Sequence, residues 1–358
     1  MKIVQIVPEL NEGGVERGVV ELNKEFVKNG IENIVITKGG KLSSKIEEDG
    51  GKIVFCDVCS KNIFTALPRI VKLSKILNKI KPDIIHVRSR VPAWMVKFAK
   101  PKCKVVSTVH GINSINFYSK IMVKADAIIC GSTYTKDHIV KNYDADIEKI
   151  TIVPRGVDLN KFNPNKLDNK FIYDFKKKFD IKEQDFIITG VGRITHTKDY
   201  KTQIRALSLI EDAKLLIVGG VRFDRDNYFN ELKTLISELG LKDRVIFTGS
   251  QKNIAEIYAI SDVVVSSSSK PESFGRSMAE SIALNTPVVA TNHGGAKDII
   301  VDGVNGYFFE VGDWKNLASQ ILKAKKLKFD GFDYISKNFS LEQMVKKNIE
   351  IYANLIKK

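Results

Sequence analysis

A short segment of the sequence combines two carboxylates with a loop suited to an anion. Glu272 lies in the loop before a predicted helix, and Glu280 lies two turns inside that helix, with Gly275 between them. Backbone N–H groups from Ser273 to Arg276 would be free at the helix start, where the helix dipole favours negative charge. A carboxylate behind such a site suits the vicinal hydroxyls of a ribose, so the segment favours a nucleoside diphosphate as ligand. The alternative is a surface helix with ordinary acidic side chains.

Cationic and glycine-rich loops are predicted at the same sheet edge. Arg193 and Lys198 follow the predicted strand Phe186–Val191, so they lie at its carboxyl end. A departing diphosphate gains negative charge, which an arginine can meet with a planar fork and a lysine with a point charge. The segment Asn292 to Gly295 adds a glycine-rich loop after another predicted strand.

A further glycine-rich loop joins the first predicted strand to the first predicted helix. Gly13 and Gly14 would let backbone N–H groups approach a phosphate closely. The loop lacks the G-x-G-x-x-G spacing of dinucleotide-binding proteins, and Lys38 stands where a ribose-binding acid would be expected. These two differences argue against a nicotinamide-dependent enzyme.

Alternating strands and helices must position these loops. Short apolar runs alternate with longer segments of helical period, which predicts parallel sheets covered on both faces. The predicted helices include Val15–Lys28, Leu67–Ile80 and Tyr134–Asn142. The predicted strands are Ile3–Val7, Ile34–Ile36, Ile53–Phe55, Ile84–Val87, Val105–Val109, Ala127–Cys130, Phe186–Val191, Lys214–Val218, Val245–Phe247, Asp262–Val265 and Pro287–Ala290.

The alternation breaks in a polar stretch between Pro154 and about Lys170, which predicts a linker. We therefore predict an α/β protein of two doubly wound, Rossmann-like domains that face each other across a cleft. Residues 1–165 would form the first domain and residues 166–339 the second, and an amphipathic segment, 340–358, ends the chain. Ligands of open parallel sheets bind beyond the carboxyl ends of the strands, so the cleft is the predicted active site.

Length and composition narrow the class of protein. The chain has 358 residues, of which 43% are hydrophobic and 28% charged, which suits about two globular domains. No apolar run approaches the roughly 18 residues that span a bilayer, and the first apolar stretch is too short for a signal peptide. Four cysteines make no disulfide framework, which favours a reducing cytoplasm. A secreted miniprotein, a membrane channel and a collagen-like rod are excluded.

The net charge of +15 is unevenly spread along the chain. Residues 51–104 contain 13 Lys or Arg but only two acids, Asp57 and Asp83, so this stretch carries a net charge of +11. It would attract phosphate on a nucleic acid, a lipid head group or a soluble ligand, or it is a solvated basic surface.

Several more motifs follow one another in a fixed order along nearly the whole chain. They are Val109-His110-Gly111, Pro154-Arg155-Gly156-Val157-Asp158, Thr286-Pro287-Val288-Val289-Ala290 and Gly303-Val304-Asn305-Gly306. With the loops described above, they make the sequence resemble glycosyltransferase family 4, whose members have the GT-B fold, use nucleotide-sugar donors and retain the anomeric configuration. The resemblance implies a role in cell-envelope polysaccharide, lipopolysaccharide or glycolipid synthesis. It also implies that the C-terminal helix crosses back onto the first domain.

The resemblance assigns donor-binding roles residue by residue. Arg193 and Lys198 would hold the donor diphosphate, and Gly14, next to Gly13, would approach it from the first domain. Glu280 would bind the ribose hydroxyls.

The resemblance also implies the groups around the sugar. Glu272 and the loop through Ser273, Phe274 and Gly275 would contact the donor sugar, and His110 would face the sugar ring or the incoming acceptor. Glu272 and His110, with Arg193 and Lys198, are thus the predicted catalytic set.

The family resemblance implies that no metal or other cofactor is required. The tripeptides Asp144-Ala145-Asp146 and Asp224-Arg225-Asp226 match the metal-binding D-x-D of the other glycosyltransferase fold, but such short matches usually arise by chance. Cys56 and Cys59 form a C-x-x-C without the second pair that a zinc site needs.

Two positions depart from the family pattern. Asn285 and Asp199 stand where the family usually has glycine, and both are scaffold positions near the predicted donor site.

Arg88 and Arg90 follow the predicted strand Ile84–Val87 at the cleft edge of the first domain. They could bind a phosphate or carboxylate of an acceptor sugar or lipid-linked sugar, since arginine suits planar anions. Alternatively, one of them pairs with Asp83 and the other is solvated.

The predicted helix in residues 67–81 has Arg69, Lys72, Lys75 and Lys79 on one face, with Leu67, Ile70, Leu77 and Ile80 opposite. It is either a surface helix whose apolar face lies in the core or a basic face that docks on anionic lipid at the inner side of the membrane. Nucleic acid is not an expected partner, because the basic stretch lacks interleaved aromatics and known binding modules.

Two other functions stay open from the sequence. A nucleotide-sugar epimerase could use the same fold, although no acid and base groups at the sugar are identifiable. A non-catalytic module that binds a nucleotide sugar or lipid is disfavoured by the joint presence of Arg193, Lys198, Glu272 and Glu280.

Overall fold

The computed structural model describes residues 1–11, 13–221 and 227–357, and it describes the backbone of Asp226. It divides the chain into two compact units, residues 1–156 with 341–358 and residues 157–340. The sequence pattern predicts a later boundary between the two domains, after residue 165. The earlier division has a physical cause, because Val157 and Phe162 are buried in an apolar core of the second unit.

The first unit is built on a parallel sheet of seven strands in the order β3-β2-β1-β4-β5-β6-β7. These strands are β1 (Lys2–Ile6), β2 (Glu32–Thr37), β3 (Lys52–Phe55), β4 (Ile84–Val87), β5 (Lys104–Val109), β6 (Ala127–Cys130) and β7 (Ile150–Ile152). Its helices are α1 (Gly14–Lys28), α2 (Ser43–Glu48), α3 (Ala66–Ile80), α4 (Arg90–Ala99), α5 (Phe117–Lys120) and α6 (Thr133–Tyr143), with 3-10 turns at Ile121–Val123 and Ile147–Lys149.

The second unit contains a parallel sheet of six strands in the order β10-β9-β8-β11-β12-β13. These strands are β8 (Phe186–Val191), β9 (Ala213–Val218), β10 (Val245–Gly249), β11 (Val263–Ser266), β12 (Val288–Thr291) and β13 (Gly306–Phe309). Its helices are α7 (Asn169–Lys178), α8 (Tyr200–Leu207), α9 (Asp226–Glu238), α10 (Ile254–Ala259), α11 (Arg276–Ile282), α12 (Ala296–Ile299), α13 (Trp314–Ala324) and α14 (Gly331–Phe339), with a 3-10 turn at His196–Lys198.

Both faces of each sheet are buried, which explains the continuous apolar runs of the strands. In β1, Val4 and Ile6 belong to one apolar cluster and Ile3 to the cluster on the other face. In the second unit, Val263 and Val264 divide in the same way between two clusters. The prediction of two α/β, doubly wound parallel sheets is confirmed.

The last helix, α15 (Leu341–Lys357), packs on the first unit rather than on the second. Met344, Val345 and Tyr352 share an apolar cluster with residues of β1 and α1. The ring of Tyr352 meets the ring of Phe26 edge to face, with centroids 5.8 Å apart.

The pattern missed two edge strands, β7 and β13, and misplaced one apolar side chain. Leu67 was expected on the buried face of α3, yet it is 70% exposed. The helix buries Leu73 and Leu77 instead, and the cluster around them does not include the first turn. Within the described residues, no helix is long and apolar enough to cross a membrane.

Candidate active site

The strand order of the second unit fixes where its functional loops meet. The sheet reverses its direction of winding between β8 and β11, which are neighbours in the sheet but far apart in sequence. At such a switch point the connections leave the two strands on opposite faces and open a crevice beyond their carboxyl ends. The loop after β8 carries Arg193 and Lys198, and the loop after β11 carries Glu272.

The structure brings Lys198 and Glu272 into direct contact across this switch point. The Nζ atom of Lys198 lies 2.6 Å from Oε1 of Glu272, and both side chains keep about a quarter of their surface exposed, 27% and 26%. The hydroxyl of Ser268 donates to the same carboxylate oxygen. Burial raises the pKa of Glu272, but Lys198, Ser268 and the charge interaction with His293 outweigh it, so the net pKa is lowered.

A run of serines holds the two loops together. Oγ of the buried Ser267 lies 2.8 Å from the carbonyl oxygen of Lys198 and accepts a hydrogen bond from Gln203. The backbone N–H of Ser269 donates to the carbonyl of Thr197 at 2.8 Å. The lysine is therefore anchored at its backbone as well as at its charge.

The glycine-rich loop after β12 packs directly against the loop that carries Glu272. The N–H of Gly295 donates to the carbonyl of Glu272 at 2.8 Å. A Cβ at Gly294 would lie 2.6 Å from that same carbonyl oxygen, and the φ of Gly294 is +66°. Only glycine meets both conditions, so this close approach requires it. Both ring nitrogens of the adjacent His293 are buried without a hydrogen-bond partner among the described residues.

Two other predicted donor-site residues, Arg193 and Glu280, occupy different environments. The guanidinium of Arg193 is exposed and has no polar partner among the side chains of residues 1–11, 13–221 and 227–357. Glu280 is mostly buried, lies 3.0 Å from Nε of Arg276 and accepts a 3.4 Å hydrogen bond from the Tyr258 hydroxyl.

The loop before α11 divides between core and surface. Ser273 is half-buried, but the ring of Phe274 is 3% exposed and packs in the core near Phe339. Gly275 caps α11 with a φ of +97°. Phe274 is therefore available to a ligand only through its backbone.

Both departures from the family's glycine pattern lie in left-handed backbone. Asp199 has a φ of 47°, and its carboxylate accepts from the Thr202 hydroxyl at 2.6 Å at the start of α8. Asn285 has a φ of 60°, and its side-chain oxygen accepts from the N–H of Gly331 at 2.8 Å. Asp and Asn tolerate this conformation better than other non-glycine residues, so the scaffold accommodates both changes.

In the first unit, the strand order reverses between β1 and β4. Gly13 and Gly14 form the start of α1 beyond the carboxyl end of β1 and are exposed. The guanidinium of Arg155 lies over this turn and donates to the carbonyl oxygen of Gly14. A Cβ at Gly18 would lie 2.1 Å from the same guanidinium.

Arg88, expected to be available to an acceptor, is instead 6% exposed. It donates to Oε1 of Gln5 at 2.7 Å and to the Thr108 hydroxyl at 3.3 Å, and its Nε is buried without a partner among the described residues. Burial lowers its pKa to about 10. The alternative of a pair with Asp83 is not seen among the described residues, because Arg88 contacts Gln5 and Thr108 and Asp83 accepts from the backbone N–H of Lys2.

Arg90 is half-buried and has a different environment. It donates to the Ser119 hydroxyl at 3.2 Å, and its guanidinium carbon lies 5.5 Å from the centre of the Tyr118 ring.

Two histidines adjoin Arg88 and are held neutral. His86 is fully buried between the Tyr352 hydroxyl, 2.5 Å away, and the Thr108 hydroxyl, 2.6 Å away. Burial, with the charges of Arg88 and His110, holds the pKa of His86 well below its usual value. Burial, Arg155 and Arg88 do the same for His110, whose Nε2 has no partner among the described residues.

Sequence reasoning missed several residues of these sites. Ser267 and Ser268 belong to a run of four serines, Ser266 to Ser269, and its position at the end of a buried strand was the available signal. Gln5, Thr108 and Tyr352 gave no comparable signal. Gln5 is a single polar residue in an apolar strand, Thr108 follows Ser107 in another strand, and Tyr352 lies on the apolar side of the last helix.

The candidate metal motifs have other environments. Asp144 ends α6, Asp146 caps the following 3-10 turn, and Asp224 and Arg225 of the second motif lie outside the described residues. Cys56 and Cys59 are free thiols. Over the described ranges, no three His, Cys, Asp or Glu side chains are grouped so that they could hold a metal ion.

Two family models together match most of the chain. The model described as glycosyl transferases group 1 matches residues 172–339, and the model of glycosyltransferase family 4 matches residues 12–161. N-acetyl-alpha-D-glucosaminyl L-malate synthase of Bacillus anthracis is 28% identical over an aligned length of 343 residues. The match covers 86% of this chain and 84% of that protein.

Two solved structures match over nearly their full lengths. A glycosyltransferase from Rickettsia africae is 31% identical with a TM-score of 0.91, and the match covers 100% of this chain and 99% of that one. Anabaena HepE in complex with UDP is 22% identical with a TM-score of 0.86, covering 99% and 100% of the two chains, and this similarity shows the fold alone. The chain therefore belongs to glycosyltransferase family 4, has the GT-B fold and is a glycosyltransferase.

Proposed function

We propose that the enzyme transfers a sugar from a nucleoside-diphosphate donor to an acceptor hydroxyl with retention of anomeric configuration. The observation that carries this proposal is the 2.6 Å contact of Lys198 with Glu272 across the switch point of the second unit. It puts a cation and a carboxylate side by side where ligands of such sheets bind. The UDP bound to HepE, a protein of the same fold, supports a nucleotide donor.

Charge neutralisation of the donor would be divided between two side chains. Arg193 has an exposed guanidinium without a polar partner in the described part of the chain, so a diphosphate oxygen could take that place. Lys198 would supply a second positive charge as the diphosphate departs, and Gly13 and Gly14 would add backbone donors at the start of α1. These cations make transfer without a metal ion the expected chemistry.

The carboxylates would hold the rest of the donor. Glu272 is ionised and fixed by Lys198 and Ser268, so it can accept hydrogen bonds from sugar hydroxyls. The backbone of Ser273, Phe274 and Gly275 would line the sugar, and Glu280 would accept from the ribose. His110, held neutral, offers a free ring nitrogen to the sugar or to the acceptor hydroxyl.

A transfer assay tests this function directly. The protein is incubated with a panel of nucleoside-diphosphate sugars and acceptors, and the product's anomeric configuration is read by NMR. We expect transfer with retention, and a rate within about twofold after chelation with EDTA, since two cationic side chains meet the diphosphate charge. Release of nucleotide with inverted product, or loss of activity on chelation, would contradict the proposal. Conversion of the donor sugar without transfer would instead identify an epimerase, and donor binding without turnover a binding module.

We propose further that the acceptor carries an anionic group, in a cell-envelope polysaccharide, lipopolysaccharide or glycolipid precursor. Arg88 is a buried cation whose described partners, Gln5 and Thr108, are neutral, and it also feels the positive charge of Arg155. A buried charge without a counter-charge is costly, so an anionic ligand would be bound strongly there. The L-malate in the name of the Bacillus relative, a dicarboxylate, supports an acceptor of this kind.

Replacing Arg88 tests the acceptor site. Arg88→Lys keeps the charge but loses the planar fork, so the acceptor KM should rise about tenfold, the cost of one or two hydrogen bonds to a charged group. The dissociation constant for UDP, measured by calorimetry, should stay unchanged, as should both constants in the control Arg205→Lys, which changes an exposed residue of α8. An equal rise in both constants for Arg88→Lys would argue against an acceptor role.

We also propose a peripheral contact with an anionic membrane through residues 67–81, where Lys72, Lys75 and Lys79 are exposed. A cytoplasmic location stays a prediction from the cysteine content.

A further inference from the structure

An unusual group of apolar side chains is exposed on the first unit. We call it the apolar patch. Its members, with their exposed fractions, are Ile63 (77%), Phe64 (89%), Leu67 (70%), Phe98 (57%) and Phe117 (78%). Single exposed apolar residues are common on protein surfaces, but a contiguous group marks a surface that another phase or molecule covers.

The side chain of Trp94 connects two members of the apolar patch, Phe98 and Phe117. Trp94 on α4 stacks on Phe98 with ring centroids 5.7 Å apart and packs against Phe117 at 5.4 Å. The indole N–H of Trp94 donates to the carbonyl of Tyr118 at 3.0 Å, which fixes this aromatic cluster.

The start of α3 joins the same surface through one arginine. Arg69 donates to the carbonyl of Asn62 at 2.9 Å, and its guanidinium also contacts the sulfur of Met95 on α4 at 3.7 Å. Asn62 directly precedes Ile63 and Phe64, so their loop is fastened to the helix that carries Trp94 and Phe98.

Part of the apolar patch lies near the functional edge of the first unit. Ile63 and Phe64 belong to the connection that leaves the carboxyl end of β3. Phe117 belongs to the connection that leaves the carboxyl end of β5, and this connection begins with His110. A surface that covered these residues would therefore lie close to the group expected to meet the acceptor.

The charges around the apolar patch identify the chemistry of its partner. The patch overlaps the stretch 51–104, which has a net charge of +11. Its only two acids are engaged elsewhere: Asp57 accepts from the N–H of Ser60 at 3.0 Å, and Asp83 accepts from the N–H of Lys2. Lys61, Lys72 and Lys97 remain exposed around the apolar side chains.

We propose that the apolar patch inserts into the surface of an anionic phospholipid bilayer. Aromatic and aliphatic side chains would enter the boundary between head groups and acyl chains, while the surrounding lysines bind phosphate groups. Binding of single-stranded nucleic acid relies on aromatic stacking and cations, whereas Ile63 and Leu67 add exposed aliphatic side chains, which suit a lipid phase. The inference rests on the membrane contact proposed above and changes its nature, from attraction by a basic helix alone to anchoring by inserted side chains.

Vesicle flotation tests the insertion. Vesicles contain phosphatidylglycerol and phosphatidylcholine in equal parts, and binding is measured at low and high NaCl. We expect wild-type binding to persist in part at high salt. In Phe64→Ser/Leu67→Ser, vesicle binding should fall at least about tenfold, because the favourable free energy of moving two apolar side chains from water into the bilayer is lost. The matched control is Tyr173→Ser/Leu209→Ser, which removes two exposed apolar side chains from the second unit (66% and 51% exposed). It should bind like the wild type.

Tryptophan fluorescence gives a second readout. The chain has two tryptophans, so Trp314→Phe leaves only Trp94, within the aromatic cluster of the apolar patch. Vesicles with brominated acyl chains should quench this fluorescence, and Phe64→Ser/Leu67→Ser should reduce the quenching.

Three results would overturn the inference: no vesicle binding at either salt, binding that high salt abolishes entirely, or binding without quenching of Trp94. Transfer to a soluble acceptor without vesicles should be equal in the wild type and in the patch variant. A failure of membrane insertion and a failure of the proposed transfer therefore show in different assays.

Discussion

Lys198→Ala should lower kcat/KM by about 100- to 1,000-fold, the usual cost of removing one group that stabilises charge in the transition state. The lysine is anchored by Ser267 at its backbone and by Glu272 at its charge, so its position is fixed before a donor binds. Without Lys198, burial would also raise the pKa of Glu272, and the acidic limb of the pH–rate profile should move to higher pH.

The sequence supplies a matched control for this variant. Lys201 forms an ion pair with Glu231 at 2.6 Å, the same length as the pair of Lys198 with Glu272, on a more exposed surface of the second unit. Lys201→Ala removes the same charge and should keep a rate within about twofold of the wild type, as exposed ion pairs contribute little. Similar losses of kcat/KM in Lys198→Ala and Lys201→Ala would mean that removing any lysine charge from this unit lowers the rate, so that Lys198 has no special role.

Glu272→Gln should reduce kcat by at least about 100-fold with little change in thermal stability. The amide keeps the shape of the carboxylate and one oxygen that can accept from Lys198 and Ser268, but it loses the negative charge and replaces the second acceptor oxygen by an NH2 donor. Glu231→Gln, which changes the partner of Lys201 in the same way, is the control and should be nearly silent. Near-wild-type turnover in Glu272→Gln would remove Glu272 from the catalytic set.

The double variant Lys198→Ala/Glu272→Gln separates joint from independent action. Because the two side chains are in direct contact, the double loss should be close to the larger single loss. Losses that multiply would show that each residue acts on the donor alone.

The sequence was sufficient for the architecture and for the family. Strand and helix periodicity predicted the alternation, and the order of motifs predicted the family, both of which are confirmed. The missed strands have local causes. β7 has three residues with partly exposed side chains, and β13 begins with a glycine, so neither has the apolar run that indicates a buried strand.

Contacts between distant residues could not be predicted from local pattern. Lys198 and Glu272 were assigned to different parts of the donor, and their ion pair follows from the neighbouring positions of β8 and β11 in the sheet. Arg88 looked like a free side chain at a strand end, but its main partner, Gln5, lies 83 residues away in sequence. A short stretch of sequence cannot show that a charged side chain is buried against a partner so far away along the chain.

The first unit is assembled from both ends of the sequence, residues 1–156 and 341–358. During synthesis, the segment 157–340 therefore leaves the ribosome with all its own strands before the first unit has received its last helix. Until then, the apolar groove for Met344, Val345 and Tyr352 stays open, and His86 lacks the Tyr352 hydroxyl. The surroundings of His86 are thus completed only after the second unit has been synthesised, and a nascent chain stalled before residue 341 would expose this groove to chaperones.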